Sequence, residues 1–309
     1  MAYVETSYDA TYESVDVTAD RPMLGSNAIK TTPTASRWTA SALGVEDIAD
    51  ASLVDTAYPT SNAWDGKTHL DTQPSTAGTT RTLIYDFGAT GLTFDFAAII
   101  GHNFFTLSAT ATLAISDLPD FDTGAGASRR IALAAWTPAN NNRIIDLQLG
   151  TNNNGNNRYS GVRYVALQVT GSSGKPAVGE LILGRRRQLF GLPMQPFDTS
   201  SSFATTEDFV ARSGARTRYL YNKGGRRLEG VLQGHTSTYT GNVGSWFADT
   251  DYGHRPFIWI PNPGTAPSTF MMMYLDESSM MHPYVDGPNE RRFNMRATEQ
   301  GPDYKNLET

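Results

Sequence analysis

Short runs of apolar or alternating residues, each closed by Gly, Asn, Asp or Pro, recur along the chain. Thr82 to Phe87 (TLIYDF) stops at Gly88, and Phe94 to Gly101 (FDFAAIIG) is followed by Asn103. Thr110 to Ser116 (TATLAIS) alternates, Arg143 to Leu149 (RIIDLQL) precedes an Asn-rich run, and Arg163 to Thr170 (RYVALQVT) and Val178 to Gly184 (VGELILG) follow. Runs of this length, rich in Ile, Val, Thr and Tyr and bounded by turn residues, predict antiparallel strands. The second half repeats the style. Thr217 to Tyr221 (TRYLY) and Arg227 to Leu232 (RLEGVL) flank Gly224-Gly225 like the arms of a hairpin. Arg255 to Ile260 (RPFIWI), Thr269 to Leu275 (TFMMMYL) and Arg292 to Ala297 (RFNMRA) complete the set. Helical spacing is scarce: a turn or two over Ser41 to Ala51, and one short helix between Ser237 and Asp249 leading into Trp246 and Phe247.

Composition sharpens this into a class. The 309 residues include 28 Gly and 16 Pro, which suits a turn-rich fold, and the absence of Cys removes thiol catalysis and thiolate metal sites. With 25 Lys plus Arg against 31 Asp plus Glu the formal charge is −6, which argues against a global grip on nucleic acid. No apolar stretch approaches the ~18 residues of a membrane span. Arg185 to Pro196 (RRRQLFGLPMQP) has the composition of a connector. The expected layout is therefore an N-terminal arm over residues 1–20, a β-sandwich domain over 21–187, a second β domain over 188–300, and a C-terminal arm over 301–309.

Candidate chemistry is sparse. The five histidines form no metal-binding pair, and no nucleophile elbow, phosphate loop or dinucleotide fingerprint occurs, so no cofactor and no metal are expected. Asp86 and Asp95 lie on or beside strands and Glu180 is flanked by apolar residues in VGELIL, where a glycoside hydrolase would need two carboxylates across a sugar. Trp38 and Trp64 lie among polar turn residues, fit either to stack a sugar or to seal the end of a sandwich. Trp246, Trp259 and the Met run read as core. Arg185, Arg186, Arg187, Arg226 and Arg227 are candidates for a subunit interface, or a solvated linker. No His cluster is poised to switch between pH 6 and 8.

Ser61-Asn62-Ala63-Trp64-Asp65-Gly66, the strand end Tyr85-Asp86-Phe87-Gly88, FAAIIGHN, RYVALQVTG and GELILG follow one another in an order that resembles the discoidin, or galactose-binding-like, jelly roll. That resemblance implies an all-β N-terminal sandwich and a glycan surface at Trp64, Asp65 and His69. Lys67 stands where carbohydrate-binding members carry a further Asp, and Thr68 is followed by His69 and Leu70 rather than reaching a Trp. A family-like calcium ion near Asp65 is thus left open. The whole layout, with Ile100-Gly101-His102-Asn103, Gly224-Gly225-Arg226-Arg227, Pro256 to Pro261 and a final RRFNMRATEQ strand, resembles tail-tip or distal tail proteins of long-tailed bacteriophages. It implies a second domain like a tail-tube domain and a virion structural protein, made in the host cytoplasm and built into the tail. Its partners would be copies of itself in a trimeric or hexameric ring, other tail proteins and a host-surface glycan, with no nucleic acid and no enzymatic activity. The alternative expectation is a carbohydrate-binding protein acting through loops of the jelly roll.

Overall fold

A computed structural model describes residues 4–7, 22–29, 33–40, 42–43, 52–66, 70–119, 121, 130–141, 143–147, 149, 157–171, 173–188, 194–198, 202–210, 216–234, 237–276, 280–282 and 291–299. The strands in chain order are β1 (Val4–Ser7), β2 (Met23–Asn27), β3 (Ala35–Thr39), β4 (Thr80–Asp86), β5 (Leu92–Phe94), β6 (Phe96–His102), β7 (Thr110–Ser116), β8 (Arg130–Trp136) and β9 (Arg143–Asp146). They continue as β10 (Asn157–Val162), β11 (Tyr164–Thr170), β12 (Val178–Gln188), β13 (Met194–Asp198), β14 (Ser202–Val210) and β15 (Arg216–Gly234). After the helix α1 (Ser237–Asp249) come β16 (Phe257–Ile260), β17 (Met271–Leu275), β18 (Met280–His282) and β19 (Arg291–Glu299). The fold is all-β, as the residue pattern predicts, and the expected helix is the α-helix among the described residues.

A five-stranded antiparallel sheet, β3-β4-β11-β7-β8, forms one layer of the sandwich. Period-two alternation decides what it buries. Leu83, Tyr85, Leu113, Ile115, Val165, Leu167 and Val169 point into the main core, where they meet Ala97 and Ile99 of β6 and Leu181 and Leu183 of β12. The intervening residues Ile84, Ala114, Tyr164 and Ala166 pack with Phe121 on the other face. Tight runs such as FAAII are apolar at every position because β6 is covered on both sides: Phe96, Ala98 and Ile100 belong to a second cluster with Ile182, Ile258, Ile260 and Met272.

The other layer does not end with the sandwich. It is part of an 11-stranded sheet ordered β13-β15-β19-β17-β16-β2-β12-β6-β9, with β14 on β15 and β18 on β19. β2, from the start of the chain, lies between β12 and β16, so strands from both halves share one hydrogen-bonded ladder. At this crossing Gly184 admits the Phe96 ring, which a Cβ there would strike. α1 lays Val243 and Trp246 on the far face, against Phe257, Trp259, Met271, Met273 and Met295. Met272 points the opposite way, into the cluster with Ile258. The contiguous Met run is thus core on two faces at once.

Three expectations need correction. The connector beginning at Arg185 is strand as far as Gln188, because β12 continues there as the partner of β2. The hairpin at Gly224-Gly225 is instead the interior of the 19-residue β15. Its first part pairs with β14, across register shifts near Thr205, and its last part with β19. The N-terminal arm is tied at Val4–Ser7, which pairs antiparallel with Asn157 to Ser160. Most of the expected turn at Ser41 to Ala51 and all of residues 301–309 lie outside the described residues.

Candidate functional site

Pro59 leads into a 3-10 turn, Thr60–Ala63, which is fixed at both ends. Thr60 and Ser36 share a hydroxyl hydrogen bond of 2.7 Å, and the Asn62 amide donates to the Asp71 carbonyl at 2.9 Å. The turn delivers Trp64, half-buried, edge-on to Tyr85 with ring centroids 5.1 Å apart at 82°. Such an edge-to-face contact holds the indole in one orientation. Asp65, next along, is exposed.

Gly66 then reverses the backbone at φ +78°, a conformation that side-chain-bearing residues rarely adopt. Its N–H donates to Glu180 Oε2 of β12 at 3.2 Å, and its carbonyl accepts from the Tyr274 hydroxyl of β17 at 3.0 Å. Glu180 is completely buried, and its Oε1 has no hydrogen-bond partner among the described residues. Burial pushes the Glu180 carboxyl well above the ordinary glutamate range, the charge of Asp65 adds to this, and the Gly66 N–H opposes it. Tyr85 and Tyr274 are likewise raised, first by burial and then by Glu180, so both phenols stay protonated. A cation held here would draw on Glu180 Oε1 and Asp65. Among the described residues no group of three or more His, Cys, Asp or Glu side chains converges. His69, with Lys67 and Thr68, lies outside the described residues.

No family model matches the sequence, and no curated protein does. Solved structures do. The chain is similar to chitosan-binding module 1 of a chitosanase/glucanase from Paenibacillus sp. IK-5, at 12% identity over 53% of this chain and 98% of that one, TM-score 0.33. It is similar to the CBM32 of AlyQ, in complex with 4,5-unsaturated mannuronic acid, at 14% identity over 48% of this chain and 92% of that one, TM-score 0.31. A third is CpGH89CBM32-4 of Clostridium perfringens, in complex with glcNAc-alpha-1,4-galactose, at 12% identity over 58% and 98%, TM-score 0.30.

Other expected residues are placed differently. Trp38 is fully buried and donates its indole N–H to Thr72 Oγ1 at 2.9 Å, so it seals the sandwich and offers no platform. Arg186 and Arg187 are 2% and 4% exposed, not solvated linker residues. The Arg186 N–H donates to Asp95 at 2.9 Å, and Arg187 pairs with Asp249 of α1 at 3.0 Å. Arg187 thus has an ion-pair partner within this chain. Arg185 is half-buried, and Arg226 and Arg227 follow the backbone of β15. Asp86 pairs with Arg163 at 3.0 Å and accepts the Gly88 N–H at 2.7 Å, which makes it a turn former. His102 is 4% exposed, stacked on Phe104, and burial lowers its pKa to about 4.

Two aromatics not expected at the surface, Tyr58 and Phe105, are 39% and 53% exposed. Their loops are laced together by Lys175, which pairs with Asp55 at 3.4 Å and whose carbonyl accepts from the Asn103 amide at 3.0 Å. The available signal was Phe104-Phe105 directly after a strand end, where only one of two successive rings can face the core.

Proposed function

We propose that this chain is a non-catalytic recognition protein whose sandwich binds a glycan at the Trp64–Asp65 surface. The observation that carries the reading is an indole held in one orientation by Tyr85 beside an exposed carboxylate. A pyranose offers an apolar face to such a ring and hydroxyl donors to such an oxygen. The strand carboxylates support binding over hydrolysis: Asp86 serves Arg163 and a turn, Asp95 the backbone of Arg186, and Glu180 the backbone of Gly66. Titration calorimetry against chitosan oligosaccharides, unsaturated mannuronic acid and glcNAc-alpha-1,4-galactose tests the reading. One of them should bind, and Trp64→Ala should weaken it at least tenfold, while Phe105→Ala separates this surface from the loop end. Absence of binding across the panel, or full binding by Trp64→Ala, overturns it.

A second reading is assembly: a structural protein of a phage tail tip or baseplate, whose copies close into a ring or adaptor at the distal end of the tail tube and carry the sandwich outward to the host surface. What favours it is β15, whose first part, Arg216 to Arg226, pairs with β14 and with no other described strand. A two-stranded ribbon is marginal by itself in water and gains from further pairing. The two readings are compatible, since an assembled protein can present a glycan surface.

A further inference from the structure

We propose that Tyr274 is a positioning residue for the Trp64–Asp65 surface, acting through Gly66, so that recognition by the sandwich depends on a side chain from the C-terminal half. This rests on the glycan reading above for its functional consequence, but its geometry stands apart from that reading. Gly66 is the residue after the exposed Asp65, and both of its backbone groups are taken by distant strands. Glu180, 114 residues on, accepts from its N–H, and Tyr274, 208 residues on, donates to its carbonyl.

The fit is steric as well as polar. A Cβ on residue 66 would sit 3.3 Å from the Tyr274 hydroxyl and 3.4 Å from Pro256 Cγ, so the bare glycine is pressed against two residues of the C-terminal half. Its φ of +78° adds a second reason for glycine. With its N–H held by Glu180 and its carbonyl by Tyr274, the peptides on both sides of Gly66 are anchored, which fixes its backbone dihedrals and with them the direction from which the chain carrying Trp64 and Asp65 enters. Freed from Tyr274, the Gly66 carbonyl would lose the hydrogen bond that ties it to β17. Glycine has the widest backbone freedom of any residue, so the peptide would then sample other orientations.

The test uses the full chain and Tyr274→Phe, which removes the hydroxyl and keeps the ring. Hydrogen exchange of the peptide covering residues 60–66 is followed together with glycan affinity and thermal stability. Faster exchange in that peptide, by at least fivefold, with an unchanged pattern across β4 and β11 and at least fivefold weaker glycan binding, is the expected result. Gly66→Ala should give the same two losses. Combined with Tyr274→Phe it should add little, because both act on one contact. Exchange at residues 60–66 equal to the wild type overturns the proposal, as does full additivity of the two variants. If no glycan binds the wild type, the functional reading fails while the exchange result still decides whether Tyr274 holds the segment. Altered exchange with unaltered glycan affinity refutes the positioning role.

Discussion

The Glu180 carboxyl is held from both sides by residues that do not welcome its charge. Burial disfavours the ionised form, Asp65 repels it, and the neighbouring Tyr85 and Tyr274 phenols are themselves pushed up, by burial first and then by its charge. A carboxyl whose folded pKa lies above its unfolded value of about 4.3 binds more protons in the native state over that interval. Its stabilising contribution is complete below the unfolded pKa and is lost as pH rises through the folded one. Glu180→Gln keeps a carbonyl oxygen for the Gly66 N–H and removes the titration. Urea unfolding at pH 5 and pH 8 should therefore show the wild type losing stability relative to Glu180→Gln at the higher pH; parallel curves would contradict this. His102 works in the opposite sense. Its contribution fades as pH falls from about 6.5 toward 4, because the unfolded ring takes up a proton that the buried ring refuses. Comparing wild type with Glu180→Gln cancels that contribution. The pH sensitivity above the ordinary glutamate range is thus assigned to a buried acid rather than to a histidine.

At the scale of elements, strands and helix are joined by side chains that cross the sheet. Arg187 on β12 is 3% exposed at its side chain and pairs with Asp249 at the end of α1, itself 14% exposed. Desolvation offsets much of the attraction in such a pair, but removing one partner strands the other charge in a low-dielectric site. Asp249→Ala is expected to cost about 3 kcal/mol, measured by urea unfolding. A loss within ~0.5 kcal/mol would show that the pair does not hold the helix down. The same scale explains why the hairpin expectation at Gly224-Gly225 did not hold. Gly pairs mark turns when the flanking runs pair with each other, yet here the flanks pair with β14 and β19. Which partner a strand takes is a long-range choice, and local turn chemistry does not encode it.

At the scale of the whole molecule, the shared ladder makes the two halves one hydrogen-bonded body, with β2 of the first residues between β12 and β16. If copies join by seating the open part of β15 on a different patch of the next copy, the contact is heterologous, and such contacts close into rings when the rotation between copies closes. Negative-stain electron microscopy with light-scattering mass should show closed rings of a few copies, either alone or with tail partners. A monomer at every concentration that is also absent from purified tails would refute the assembly reading.

The residue pattern by itself determined the class of fold and about half of the strand positions, because period-two alternation and turn residues are local physics. It also marked Trp246, Trp259 and the Met run as core. It picked out the Asn62-Ala63-Trp64-Asp65-Gly66 segment, whose glycine is required by a positive φ. Tertiary structure alone decided the rest. Trp38 and Trp64 look alike in sequence, and only packing sends one into the core and leaves the other half-buried against Tyr85. The arginine triplet is as charged as any linker, and only the pairing of β12 with β2 and the approach of α1 bury Arg186 and Arg187. The meeting of Gly66, Glu180 and Tyr274 joins residues more than a hundred positions apart, and such distances are set by how layers stack rather than by any neighbour in the chain.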